Sequence, residues 1–492
     1  MARINTNIPS LLAQSSLSRT NSDLQVRLQR LSTGLRINRG ADDPAGLIVS
    51  ERLRSEIKGL NQAVKNSERA SSVIATTEGY LAEVADLLNS VKSLVVEAAN
   101  TGGLSKEEIA ANQLQIDSAI ESITRISNTA SFAGLQLLNG SLEYTLSGVP
   151  TSAIAGVNVH GAQFGNASDL AVQVEVVSSA LTAELFLSGN TAGSPGALLS
   201  SVTLEIAGNE GVQTLSFVSG TALSAVVAAI NTLKDSTGVS AALASATDQT
   251  SGMTFNSIGY GSDAFVSVKR IGAGGAFFQT FDAQGGNAVN QDKGRDVSAI
   301  VNGALAIGNG LTVSLNSPIL SLTMDLDKAY AQTVGSAKNF RITGGGATFQ
   351  LGPSISATQQ VGFGVQSVAA SRLGGTDING VRYFLDSIRS GQTNSLGAGN
   401  PANASDILDA AIVDVSVLRG RLGAFERNTL QTNVRSLEVG LENITASESR
   451  IRDADFAAET AALTRAQILT QAGTSVLATA NASAQNVLAL LQ

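Results

Sequence analysis

Apolar residues recur at alternating three- and four-residue steps along both ends of the chain, and the middle does not share that period. Leu17, Leu24, Leu28, Leu31 and Leu35 fall on one side of a helix, as do Leu53, Ile57, Leu60 and Val64 after a break at Gly40–Pro44. Tyr80, Val84, Leu87, Val91 and Leu94 continue the step. Spacing of this a/d type is what a helix presents to a partner helix. Thr101, Gly102 and Gly103 end that run. Ser105 followed by Glu108 then spells a capping box for a helix that carries Ile109, Ile116, Ile120 and Ile123 and stops near Asn128. Toward the other end, Leu408, Ala411, Val415, Leu418, Leu422 and Phe425 keep the period, and Val434, Leu437, Leu441 and Ile444 keep it after a phase slip. A charged knot around Arg450–Asp455 precedes a last seam at Ala466, Leu469, Gly473, Val476, Ala480, Ser483, Val487 and Leu490.

Between about residues 146 and 346 the period shortens to two. Val172–Val177, Ser201–Ile206, Thr214–Val218 and Phe265–Val268 read as strands, and Ala222–Leu233 as a helix. This order predicts a small α+β unit, with a second β unit over 275–330. The chain as a whole is predicted to be α+β and multidomain. Its two helical ends pair, and a Gly/Ser/Thr-rich β or α+β segment is inserted between them.

Composition narrows the chemistry. The chain has 492 residues, enough for two to four domains, with no Cys, no Trp and one His. A thiol nucleophile, a disulfide framework and a Cys-based zinc site are excluded. Any Ser-His-Asp machinery would have to use His160, which sits in Val-Asn-Val-His-Gly and reads as an ordinary strand or surface residue. Gly259-Tyr-Gly261 and Gly308-Asn-Gly310 lack the third glycine and the following helix of a dinucleotide loop. No catalytic residue, cofactor or metal is predicted, and a secreted enzyme would need a clustered site that the middle lacks. Sequons at Asn166, Asn403, Asn443 and Asn481 are expected by chance. A net charge of −8 argues against nucleic acid. No apolar run is long enough to cross a membrane, and the opening MARINTNIPSLLAQSS, broken by Asn, Pro and Ser, does not read as a secretory signal.

Two features of the ends point to association. From Ala466 to Gln492 no residue is charged, whereas an outer helix of a monomer normally carries Lys and Glu. That stretch is also alanine-rich and too poor in large apolar side chains to order alone. It therefore orders against the N-terminal seam or against copies of itself. An internal coiled coil within a monomer is the plainer alternative. A membrane-lying tail is disfavoured because no basic face exists. Arginines in the first forty residues, Arg30, Arg36 and Arg39 among them, face acids of the C-terminal knot, Asp453, Asp455 and Glu459, as candidate ion pairs. Asp42, Asp43 and Pro44 form the connection between the first two helices, since Pro44 pushes Asp43 away from the α region. No third ligand stands near the two aspartates to make a metal site.

The residues that carry a family resemblance are Leu31-Ser-Thr-Gly-Leu-Arg-Ile-Asn38, Asp42-Asp43-Pro-Ala-Gly46 and Thr77-Glu-Gly-Tyr-Leu81. At the other end they are Ser447-Glu-Ser-Arg-Ile-Arg-Asp-Ala-Asp-Phe456 and Arg465-Ala-Gln-Ile-Leu-Thr-Gln-Ala-Gly473. Together they resemble the terminal signatures of bacterial flagellins. The resemblance covers about 1–140 and 347–492. It implies a D0 layer from 1–44 with 453–492, a D1 bundle from 45–145 with 347–452, and an outer insertion over 146–346. It implies a subunit exported unfolded through a type III apparatus that polymerises into the extracellular flagellar filament used for motility. The implied partners are copies of itself, the flagellar cap and hook-junction proteins, and an export chaperone on the C-terminal region. O-glycosylation of the insertion is compatible with the family. An innate-immune receptor reads a D1 helix of related proteins. At its positions this chain has Ser90, Leu94, Glu97 and Gln115, of which only Leu94 keeps the usual residue, and weak recognition is implied. A hook–filament junction protein, or an adhesive role for the insertion, are the competing readings.

Overall fold

The computed structural model describes residues 6–489 except 166, 190–195, 246–248, 273, 276, 277 and 379. Arg3, Asn166 and Leu490 lie outside the described residues, as do the side chains of Ser483 and Val487. The described chain forms two compact units, one of residues 1–72, 350–355 and 424–492, the other of 73–349 and 356–423.

The first unit is helical. Helix α1 (Ile8–Thr33) starts where the Asn7 side chain accepts the Ser10 N–H at 3.1 Å, and it stops at Gly34, whose φ of 71° a side chain would disfavour. Helix α2 (Pro44–Ala98) begins with proline at its first position, and the Asp43 carboxylate accepts the Gly46 N–H at 2.9 Å. Its first part packs Leu60 and Ala63 against Leu437, with Val64, Leu441 and Ile444 alongside. The Asn433 amide donates to Ser67 Oγ at 3.2 Å and to the Leu351 carbonyl at 2.8 Å.

In the second unit the rest of α2 buries Ile74, Leu81, Leu88 and Val91. Helix α3 (Lys106–Thr129) adds Ile116, Ile120 and Ile123 to the core. The Ser105–Glu108 capping box forms as its spacing predicts, with hydrogen bonds of 3.2 and 2.7 Å. An eight-stranded antiparallel sheet follows. Its strands are β1 (Tyr144–Ser147), β2 (Ile154–Ala162), β3 (Leu170–Ser178), β4 (Ser298–Val301), β5 (Ala304–Asn309), β6 (Thr312–Asn316), β7 (Leu320–Leu326) and β8 (Ala337–Gly345). Their spatial order is β1-β8-β3-β4-β5-β6-β7-β2. The predicted independent β unit over 275–330 is therefore corrected. Its strands complete a sheet begun by 144–178, because Val174 and Val176 share one core with Val313, Leu322 and Met324.

Residues between β3 and β4 form two four-stranded sheets around a second core, in which Val202, Leu204, Phe255 and Val268 surround the helix α4 (Leu223–Thr232). The chain leaves and re-enters the large sheet at one point. Leu181 and Arg295 form an antiparallel bridge with reciprocal N–H···O bonds of 2.9 and 3.0 Å. Helices α5 (Pro401–Phe425) and α6 (Gln431–Arg452) are joined by a π-helical turn, Glu426–Leu430. That turn is the phase slip seen between Phe425 and Val434, since a five-residue step rotates the apolar stripe. Helix α7 (Phe456–Ala489) closes the chain.

Candidate functional site

Helices α1 and α7 belong to the first unit and run antiparallel. Asn7 Nδ2 donates to the Ala480 carbonyl at 3.0 Å near one end, and Arg27 reaches Glu459 at the other. The side chains turned inward on α1 are Ser10, Ala13, Leu17, Thr20, Leu24, Arg27 and Leu31. On α7 they are Glu459, Leu463, Ala466, Thr470, Gly473, Leu477 and Ala480. Both sets step regularly by three and four residues, as a heptad seam requires. Gly473 lets the helices approach, for a Cβ there would lie 3.3 Å from Leu17 Cδ1.

This arrangement corrects four of the predicted seam positions. Leu469 and Val476 are 49% and 58% exposed, with Thr470 and Leu477 inside in their place. The predicted seam transposes the three- and four-residue steps because it favours the bulkier Leu469 over Thr470. Leu28 is 49% exposed for the same reason, and Arg27 takes its seam position. Leu17, Leu24 and Leu31 are half-buried in the seam. Leu35 lies past the helix end, in a β-bridge to Asp453.

Of the candidate ion pairs, Arg30 with Glu459 forms, while the two aspartates take other partners. Glu459, only 7% exposed, takes Arg27 Nη1 at 3.0 Å and Arg30 Nη1 at 3.0 Å. Burial alone would raise the Glu459 carboxyl, but the hydrogen bonds from Arg27 and Arg30 outweigh it and hold the group below its ordinary value. The same bond from Glu459 raises Arg27. Neither Asp453 nor Asp455 forms an ion pair among the described residues. Asp453 accepts the Ser449 hydroxyl at 2.6 Å, and Asp455 accepts the N–H groups of Ala457 and Ala458 at 2.9 and 3.1 Å, capping α7. Aspartate is too short to cross the seam from a helix end and instead satisfies the orphan donors there. Arg36 donates to the Ile451 carbonyl at 2.6 Å and stands 3.8 Å from Asp43, whereas Arg39 has no ion pair among the described residues. Sequence reading missed Arg27 as a seam residue. A strict heptad count forward from Ala13 would have found it.

The connection between α1 and α2 is tied down by its aspartates. Asp42 accepts the N–H groups of Asn38 and Arg39 at 3.0 and 2.8 Å, and these bonds, that from Arg39 foremost, lower its pKa. The Ala454 N–H donates to the Gly34 carbonyl at 2.9 Å and the Arg36 N–H to the Arg452 carbonyl at 2.7 Å, so this connection and that between α6 and α7 are stitched together. In the second unit, Ser90 and Glu97 on α2 and Gln115 on α3 are exposed and Leu94 is half-buried. His160 pairs with Thr323 Oγ1 at 3.0 Å, and burial first, with Arg421 second, lowers its pKa to about 3. Among the described residues no group of three or more His, Asp or Glu is placed to hold a metal, and no helix is long and apolar enough to cross a membrane.

Comparison with known proteins bears on these helices directly. The chain matches the bacterial flagellin N-terminal helical region over residues 4–143 and the C-terminal helical region over 405–491. Residues 203–259 match the flagellin hook IN motif. A flagellin of Salmonella rubislaw is 30% identical, covering 99% of each chain, and a B-type flagellin of Pseudomonas aeruginosa is 30% identical over the same shares. Among solved structures, the flagellar hook associated protein-3 of Legionella pneumophila is 13% identical with a TM-score of 0.31, covering 82% of this chain and 98% of that one. With identity carried from end to end, and with both terminal helical regions matched, this chain belongs to the flagellin family of flagellar structural proteins.

Proposed function

We propose that the chain is exported unfolded and polymerises with copies of itself into the extracellular flagellar filament that drives motility. Residues 1–44 and 453–492 form its inner coiled-coil layer, 45–145 with 347–452 the bundle around that layer, and 146–346 the outward insertion. The observation that carries this reading is that the terminal helix pair is apolar on both sides. With the seam closed, Ile8, Leu11 and Leu12 on α1 and Ile468, Leu469 and Val476 on α7 remain exposed. Apolar surface of this extent marks an interaction site. A filament needs heterologous contacts that do not close into a ring, and these residues supply the second side of each helix for them.

The terminal helices order fully only against neighbouring subunits, which suits export of an unfolded chain. An export chaperone covers the C-terminal region beforehand, and cap and hook-junction proteins meet the same surfaces at the filament ends. At the receptor positions, Ser90 and Glu97 replace a guanidinium and an amide, so bidentate bonds are lost and recognition is weak. The test is electron microscopy of purified protein carrying Ile468→Glu and Leu469→Glu. Long filaments from the unmodified chain and none from the variant support the reading, provided helical content by circular dichroism is unchanged. Filaments of ordinary length from the variant overturn it.

A further inference from the structure

In the second unit a cleft of about 870 Å³ lies between helix α5 and one face of the large sheet. Strand β7 shows how it is built. Leu320, Leu322, Met324 and Leu326 point into the sheet's core, which leaves Thr323 and Asp325 on the opposite face, lining the cleft. Across from them α5 presents Asp414, Val417 and Arg421, spaced to share one helix face. The volume falls within the range of small-molecule sites.

The cleft holds three charges of each sign, but they do not all pair off. Three arginines line it. Arg372 is matched by Glu143 at 2.7 Å and Arg382 by Asp325 at 3.6 Å. Arg421 has no carboxylate within salt-bridge distance among the described residues, and burial alone pushes its pKa down. Asp414 cannot serve it. That group lies two helical turns away, roughly 10 Å along the axis, and already accepts the Gly374 N–H at 3.0 Å. A half-buried guanidinium without an acid is an unusual expense in a fold, because a desolvated charge is normally paired.

Its hydrogen bonds leave it available. Arg421 Nη2 donates to Thr323 Oγ1 at 3.2 Å, and the same hydroxyl lies 3.0 Å from His160 Nε2. The hydroxyl accepts from Arg421, and with a second lone pair and one O–H it pairs with His160 Nε2 in either tautomer of the ring. The remaining guanidinium N–H groups have no protein acceptor among the described residues. The same cleft is lined by the amides of Asn158, Asn309 and Gln366, and Val413 and Val417 expose apolar surface on α5. Amides bond hydroxyl groups in either sense, and a small apolar floor suits the C–H face of a saturated ring.

We propose that this cleft binds a small hydroxylated carboxylate of the hexuronate kind, with Arg421 as the carboxylate ligand and the surrounding amides reading its hydroxyls. The sole histidine of the chain provides the readout, since one imidazole gives one signal in the full-length protein. Galacturonate is titrated against histidine-labelled protein by NMR, with galactose and inorganic phosphate as parallel arms. Galacturonate is expected to shift the His160 signals saturably and to raise the pH at which they titrate, because an anion beside the ring favours its charged form. Galactose binds at least about tenfold more weakly, as does Arg421→Lys, which keeps the charge and loses the fork. Arg421→Gln weakens galacturonate by about tenfold to a hundredfold. If that variant melts early, the lysine variant decides. No saturable shift with millimolar galacturonate overturns the proposal, as does equal affinity for galactose or for phosphate, or an affinity unchanged in both Arg421 variants.

Discussion

Removing the Glu459 carboxylate perturbs the one point among the described residues where an ion pair crosses the seam of α1 and α7. Glu459→Ala leaves two guanidinia facing an apolar groove. Losing one partner of a buried pair costs about 3–5 kcal/mol. The arginine side chains here keep 26% and 20% of their exposure and can rehydrate, and Arg27 retains Asp23 at 3.2 Å. The discounted loss is about 2–3 kcal/mol per subunit. If the pair is made only in the assembled subunit, that loss appears as a critical concentration for polymerisation raised by about 30- to 150-fold. Sedimentation of filaments at equilibrium, with assay of the monomer left in solution, measures it. Glu459→Asp, one methylene short of reaching both arginines, should fall between. Arg27→Ala combined with Glu459→Ala should lose less than the two single losses together. The pH dependence has a definite sign. The folded carboxyl sits below its ordinary value of 4.5, so its contribution is complete above that pH and is lost as pH falls below it. Glu459→Ala should lack this component. A critical concentration within threefold of the unmodified protein would refute the reasoning.

Three further outcomes are expected. His160→Gln should make the protein less sensitive to acid. The folded ring titrates near 3 against 6.5 unfolded, so the unmodified protein loses stability as pH falls through that window, by about 1 kcal/mol between pH 6 and 5 relative to the variant in urea titrations. Gly473→Phe should overpack the seam against Leu17 and destabilise it by about 1–3 kcal/mol, whereas Gly473→Ala should be nearly neutral by filament melting, a gain in helix propensity offsetting the 3.3 Å approach to Leu17. Ser105→Ala should speed amide exchange at the start of α3 by the equivalent of about 1 kcal/mol.

The local features were legible because they depend on neighbours in sequence. The Ser105–Glu108 box, the stop at Gly34 and the start at Pro44 follow from backbone donors and allowed dihedrals alone. The slip between Phe425 and Val434 was visible in the apolar stripe, although its cause, a π turn, was not. The α7 seam was misphased because volume is a poor guide where helices approach closely. Small and polar residues, Gly473 and Thr470, face inward while Leu469 and Val476 face out. The acid that binds Arg30 was legible as chemistry and not as partner, since the choice among Asp453, Asp455 and Glu459 depends on reach across a seam. The cleft around Arg421 left no mark in the sequence. Its residues come from strands and a helix far apart in the chain, and only the antiparallel register of β2 and β7 brings His160 near Thr323.

The bridge between Leu181 and Arg295 has a practical corollary. Chain positions opposed in an antiparallel bridge lie about 5 Å apart, a span that a short glycine-containing turn covers. Residues 182–294 thus form a cassette hung from this hinge pin, with its own core of Val202, Leu204, Phe255 and Val268, and steadied beside the pin where Ser262 donates to Asp296 and Gln332 donates to the Tyr260 hydroxyl. Excising it, or swapping in a foreign module whose ends also meet, should leave the eight strands that carry it in register. Sequence and length can therefore drift freely on that side of the hinge pin while the frame beneath stays unchanged.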